Sequence, residues 1–286
     1  MIYNDINSIS EKIGRAHDYF NSKKLKGKIK DVVVFFRNVI KHKIYPIESR
    51  EILILSHPRR IKNGLFYDCP YTDFLRNINR SYYIFEESCI SEHLKPVRTN
   101  EIRYTDRINL RFYIEYLFMK LANRYKLKET DKKHIIDVIE KINKEFKIEL
   151  DKNIYVKKTR NELIKFKLLY KYYKKIIMKI NPKLIIEVIS YERRRKVINS
   201  IAKEYGIPTI ELQHGTIGKY EIAYNFLNKR RIHTFPDYLF LFGDFWRDNS
   251  RFPIDSNKVI SVGWSYFEEK IKEYQDADSV KNNKTI

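Results

Sequence analysis

The stretch KLIIEVISYERRRKVINSIAKEYGIPTIELQHGT, residues 183–216, decides the fold class. Lys183 to Ile189 is a β-branched apolar run of strand length. Arg193 to Tyr205 repeats its apolar positions at helical spacing and is closed by Gly206, and Ile207 to Leu212 is a second strand. Strands separated by a helix of that length pair in parallel through a right-handed crossover. The alternation continues with strands at Tyr238 to Phe242 and Val259 to Val262, and with helices at Phe245 to Asn249 and Tyr266 to Tyr274. The expected fold is α/β, a Rossmann-like parallel sheet with helices on both faces.

Upstream, Glu51 to Ser56 holds Ile-Leu-Ile-Leu between polar flanks and predicts a further buried strand, and Tyr82 to Phe85 a short aromatic one. Helical spacing recurs at residues 5–20, 27–42, 110–121, 132–146 and about 159–180, the last stopped by Asn181-Pro182. The amino-terminal half is therefore helix-rich. An isolated strand at 51–56 needs neighbours to pair with, so one domain is expected over residues 1–275, with a helical insertion at about 100–180. Residues 276–286 read as a polar linker.

A chain of 286 residues with 43% hydrophobic side chains and only 8 Gly and 8 Pro can bury a large core, which excludes the disordered and low-complexity classes. Its net charge of +21 attracts anionic partners over a Debye length, about 8 Å at physiological salt. Nucleic acid, anionic lipid and phosphorylated substrates all fit that charge, as do ordinary solvated helix faces. Lysines scatter over every helix and no nucleic-acid-binding motif occurs, so nucleic acid is not the expected partner. Cys69 and Cys89 form no CxxC pair, which argues against a disulfide scaffold, a zinc ribbon or an iron–sulfur site. Met1 to Ser10 lacks an apolar signal core, and no run approaches the roughly 18 apolar residues of a membrane helix. A cytoplasmic chain is expected, associated peripherally with the inner face of the cell membrane through its charge.

In an open parallel sheet, ligands bind beyond the carboxyl ends of the strands, where loops converge and helix amino termini present free N–H groups. That rule selects Ser56, His57 and Arg59 after the first strand and Ser190, Tyr191 and Arg193 after the next long one. It also selects Gln213, His214, Gly215, Thr216 and Gly218, then Gly243 and Asp244, and finally Gly263 to Ser265. His214 is the catalytic candidate: an imidazole titrates near neutrality and can take a proton from a hydroxyl nucleophile or bind a phosphate. The competing reading is a structural histidine bonded to a neighbouring carbonyl. Gly215 would let the backbone turn sharply or approach a ligand. His57, followed by Pro58 and two arginines, suggests a phosphate or carboxylate contact. The run Tyr191-Glu192-Arg193-Arg194-Arg195 opens a helix; its default reading is a solvated face, with one or two arginines available to an anion. Trp246 and Trp264 read as packing residues.

No GxxxxGK[ST], GxGxxG, HExxH or GxSxG element occurs. His134 and His233 lack partners at metal-ligand spacing, and no metal or cofactor is expected. Ile210-Glu-Leu-Gln-His-Gly-Thr216, Phe235-Pro-Asp-Tyr238, Phe242-Gly243 and Val262-Gly263 together resemble the amino-terminal half of GT-B glycosyltransferases of bacterial capsule and surface polysaccharide synthesis. The His-Gly-Thr turn is also similar to the Trp-His-Gly-Thr element of teichoic-acid CDP-glycerol glycerophosphotransferases, with Gln213 in place of the tryptophan and Ile217 in place of a proline. The resemblance covers roughly residues 182–270. It implies a single GT-B lobe holding a polysaccharide or lipid-linked acceptor, with His214 as base or acceptor-site residue. It also implies a nucleotide-sugar donor bound by a second domain or chain, so a truncated, split or fragmentary enzyme is expected, inactive alone. A non-catalytic half that binds acceptor or partner is the alternative.

Overall fold

The computed structural model describes residues 24–42, 44, 46–57, 61–63, 65–72, 74, 77–88, 93–226 and 232–282. The helix expected at 5–20, Arg59 and Cys89 lie outside the described residues.

Strand β1 (Ile52–Leu55) is buried at all four positions, as an interior parallel strand covered on both faces must be. From it the chain winds outward through a small antiparallel hairpin, β2 (Ile61–Asn63) and β3 (Phe66–Asp68), to β4 (Tyr82–Glu86) and then β5 (Ile102–Tyr104). Three helices return it to the other side of β1: α2 (Asp106–Leu121), α3 (Glu129–Phe146) and α4 (Lys152–Ile180). They follow α1 (Lys24–Lys41) and precede β6 (Leu184–Glu187), α5 (Arg193–Glu204), β7 (Thr209–Leu212), β8 (Tyr238–Leu241), α6 (Asp244–Asp248), β9 (Val259–Ser261) and α7 (Ser265–Asn282). The result is the expected Rossmann-like architecture, a seven-stranded sheet of order β5-β4-β1-β6-β7-β8-β9. Every pairing in it is parallel. The winding reverses between β1 and β6, and the crevice at such a reversal is where these sheets bind ligands.

The two faces bury different sets. Leu53, Leu55 and Ile185 pack against Ile164, Leu169 and Ile177 of α4 and Val197 and Ile201 of α5. Ile52, Ile54, Ile186 and Leu212 face Cys69 and Tyr71 on the other side. Each fully buried Leu or Ile here contributes roughly 1.5–3 kcal/mol of transfer free energy. One row across the sheet breaks the apolar pattern: Leu55, Glu187, Glu211 and Leu239 are register neighbours in β1, β6, β7 and β8.

Local signals explain most element ends. Asp151 starts α4 by accepting from the N–H groups of Asn153 (2.8 Å) and Ile154 (3.4 Å). The helix therefore begins before the point where its apolar spacing becomes regular. It stops at Asn181, left-handed at φ 51°, ahead of Pro182. Gly206 ends α5 at φ 66°. The β2–β3 hairpin and β5 escape the sequence reading because three residues are too few to show a period. α7 runs on to Asn282, into the segment read as a linker, where residues 275–282 contain neither Gly nor Pro to stop it. No helix among the described residues is long and apolar enough to cross a membrane.

Candidate functional site

Three strand ends meet at the reversal. Beyond β1, Ser56 and His57 are buried. Beyond β7, His214 is half-buried and its ring stacks on that of His57, centroids 5.7 Å apart and planes 29° apart. Beyond β6, the exposed Tyr191 brings its hydroxyl to 3.3 Å from His214 Nε2. Tyr71 and Tyr224 complete the surround, with ring centroids 6.2 Å and 6.5 Å from that of His214. An imidazole edge is thus held by aromatic walls, with one ring nitrogen beside a hydroxyl. This geometry suits proton transfer to or from an oxygen.

Gln213 fixes this edge. Its Oε1 accepts from the Phe242 N–H and its Nε2 donates to the Gly215 carbonyl, both at 2.8 Å. Both functions of its amide are thereby engaged by backbone, which makes Gln213 a positioning residue for the turn that carries His214. Gly215 and Thr216 are exposed. No atom lies within 4 Å of where a Cβ on Gly215 would stand, so packing within the chain does not demand glycine there. Gly243 is extended at φ 177° and needs no glycine either. Gly263 does: its φ is +79° and an added Cβ would lie 2.5 Å from Glu268 Oε1. Trp264 is a packing residue, stacked on Phe242 at 4.6 Å and donating from Nε1 to the Pro70 carbonyl at 2.9 Å.

The arginines opening α5 differ from their default reading as a solvated face. Arg193 donates to Glu162 of α4 at 2.7 Å, away from His214. Arg194 pairs with Glu87, and burial lowers its pKa to about 10. Arg195 is buried, donating to Glu87 Oε1 at 2.9 Å and to the Ser56 carbonyl at 2.8 Å. The anion that Arg194 and Arg195 bind is the chain's own Glu87, and Arg195 ties the end of β1 to α5.

Beneath the crevice lie two acids that position-based reading passed over. Glu187 and Glu211 are fully buried and directly opposed across β6 and β7. Burial, and then the charge of Glu211, push the Glu187 carboxyl well above its ordinary range. Burial also raises Glu211. Asn199 donates to Glu187 at 2.7 Å; the Ser190 N–H (2.9 Å) and the Tyr224 hydroxyl (2.5 Å) donate to Glu211. Between the two strands' ends, Ile189 adopts φ 70°, a left-handed conformation rare for a β-branched residue. This strained residue aims the Ser190 N–H at Glu211 and sets Tyr191 beside His214. A glutamate inside an otherwise apolar parallel strand was the available signal for this layer.

Two strands away, on the same edge, His93 is enclosed by acids. Its Nδ1 lies 2.9 Å from Glu86 and its Nε2 2.9 Å from Asp106, with all three side chains no more than 4% exposed. Burial acts to lower its pKa, but the hydrogen bonds to Asp106 and Glu86 outweigh it and the net shift is upward. His42 packs edge-on against His93 at 5.0 Å and is lowered to about 4, mainly by burial and then by Lys95.

Cavities of about 620 and 630 Å³ open at the opposite, amino-terminal edge of the sheet, lined in part by Lys203, Asp237 and Lys258. Asp237 there accepts from the N–H and hydroxyl of Thr209 at 3.0 Å, and Lys203 donates to the Phe235 carbonyl, so these groups bind the chain itself. Among the described residues no three His, Cys, Asp or Glu side chains gather into a site that could hold a metal ion.

Fold and site define a Rossmann-like α/β protein in which an imidazole and hydroxyls meet at the switch point of the sheet. No family model matches the chain, and no curated protein or solved structure matches it either.

Proposed function

We propose that this chain is the acceptor-side half of a glycosyltransferase of capsule or surface polysaccharide synthesis. The observation that supports this reading is the 3.3 Å approach of the Tyr191 hydroxyl to His214 Nε2 at the switch-point crevice. An acceptor hydroxyl taking a similar place would give its proton to His214 as its oxygen attacks the anomeric carbon of the donor sugar. The sugar–phosphate bond breaks with its electron pair, and a nucleotide diphosphate leaves. A second domain or chain holds that nucleotide, since Arg193, Arg194 and Arg195 are engaged by Glu162 and Glu87. The charge of +21 keeps the protein at the anionic inner face of the cell membrane, near a lipid-linked acceptor.

The engaged arginines also favour a second reading, a non-catalytic half that binds acceptor or partner. The two separate in an assay of sugar transfer with this chain co-expressed with the product of any adjacent reading frame. His214→Ala should lower the rate by about 10²–10⁴ with unchanged thermal unfolding. Equal transfer by the variant removes the assigned role; retained acceptor binding without turnover in any combination selects the second reading.

A further inference from the structure

Helices α1 and α2 turn apolar faces to solvent. Val33, Phe36 and Ile40 of α1 are 62, 48 and 74% exposed, and at about 100° per residue they share an arc of about 60°, opposite the buried Asn38. Ile114, Leu117 and Leu121 of α2, exposed by 60, 53 and 84%, share a similar arc opposite the buried Phe112. The helices are neighbours, Arg107 Nε donating to the Val39 carbonyl at 2.9 Å. Large exposed apolar patches mark interaction sites.

Charge identifies the occupant. The first two turns of α1 read Lys24-Leu-Lys-Gly-Lys-Ile-Lys30, and Arg37 and Lys41 follow, against one acid, Asp31. Arg37, Lys41, Arg111 and Lys120 are exposed alongside the apolar arcs. A second copy of the chain would bring two lysine-rich helices together, and nucleic acid offers nothing to bury aliphatic side chains. An anionic bilayer supplies both phosphates for the cations and a headgroup–acyl boundary for Phe36, Ile40 and Leu117.

We propose that the α1–α2 face docks on an anionic lipid surface. The assignment deepens the membrane part of the proposed function and rests on it only there; vesicle binding is measured without any transfer reaction, so either can fail alone. The test is flotation of the full chain with vesicles of phosphatidylglycerol and phosphatidylcholine, against phosphatidylcholine alone. Binding is expected with the mixed vesicles and to weaken with salt. Phe36→Asp with Leu117→Asp should cut it at least tenfold, with an unchanged unfolding transition because both sites are half exposed. Arg37→Gln and Lys41→Gln should each weaken binding roughly fivefold. Equal binding to neutral vesicles, no flotation of folded protein, or a variant that floats like the parent overturns the proposal. Dilution-dependent dimers abolished by the same substitutions, without lipid binding, would assign the face to a second copy instead.

Discussion

Glu187 and Glu211 face each other across β6 and β7 with uncharged hydrogen-bond partners, Asn199, Ser190 and Tyr224, whereas Glu86 and Asp106 are bridged by the ring of His93. Both pairs are buried at the carboxyl edge of one sheet. In the first, burial and then the charge of Glu211 push the Glu187 carboxyl toward its protonated form; in the second, burial is outweighed by the hydrogen bonds to the two acids, which push the His93 imidazole toward its charged form. A buried acid pair needs one or the other, because two bare carboxylates in a low-dielectric interior repel each other and have lost their hydration. The pair with uncharged partners lies beneath His214 and Tyr191, and the bridged pair ties β4 to the start of α2.

The comparison breaks most severely at His93. His93→Ala leaves two buried carboxylates without their bridge and should cost about 3–5 kcal/mol in denaturant unfolding. A loss under about 1 kcal/mol would show that the cluster is solvated and the contrast false. Tyr224→Phe removes the 2.5 Å bond to Glu211 and leaves that oxygen the Ser190 N–H alone, which should cost about 0.5–1.5 kcal/mol by urea titration. Tyr224→Phe should cost less than His93→Ala, since it removes one hydrogen bond and leaves Glu211 the Ser190 N–H, whereas His93→Ala strips a partner from two buried acids at once.

Smaller effects follow pH. The folded pKa of Glu187 lies above 4.5, so its stabilising contribution is full below 4.5 and is lost as pH rises through the folded value. His93, raised above 6.5, likewise contributes fully below 6.5 and loses that contribution as pH rises through its folded value. Glu187→Gln, an isostere of the protonated acid, should flatten only the first part of the alkaline decline in melting temperature. A decline of unchanged slope would place the titration elsewhere. His42 works in the opposite direction: lowered to about 4, it contributes stability above 6.5 that is lost as pH falls through about 4, so His42→Phe should soften the acid limb. The smallest expected effect is at Ile189. Relief of its left-handed backbone in Ile189→Gly should raise stability by at most about 1 kcal/mol, offset in part by glycine's freedom in the unfolded chain. If the strain serves the site, the same variant should loosen Tyr191 from His214.

Gly206, Asn181-Pro182 and the Ile-Leu-Ile-Leu run made the central strands and the flanking helices legible in the sequence, because turn chemistry and burial periodicity act over a few residues. The same locality made His57, Tyr191 and His214 legible as strand-end residues. Position alone did not separate them from Arg193, which turns to Glu162, or from Gln213, whose amide is engaged by backbone. Strand order and register are non-local. The pairing of β6 with both β1 and β7 brings His57 onto His214 and sets Glu187 against Glu211. The fold class and the strand ends were therefore settled by the sequence itself, through short-range steric and hydrophobic preferences. Which strand ends meet, and which carboxyls are pushed upward in pKa beneath them, was decided only when long-range pairing buried those groups together and removed their water.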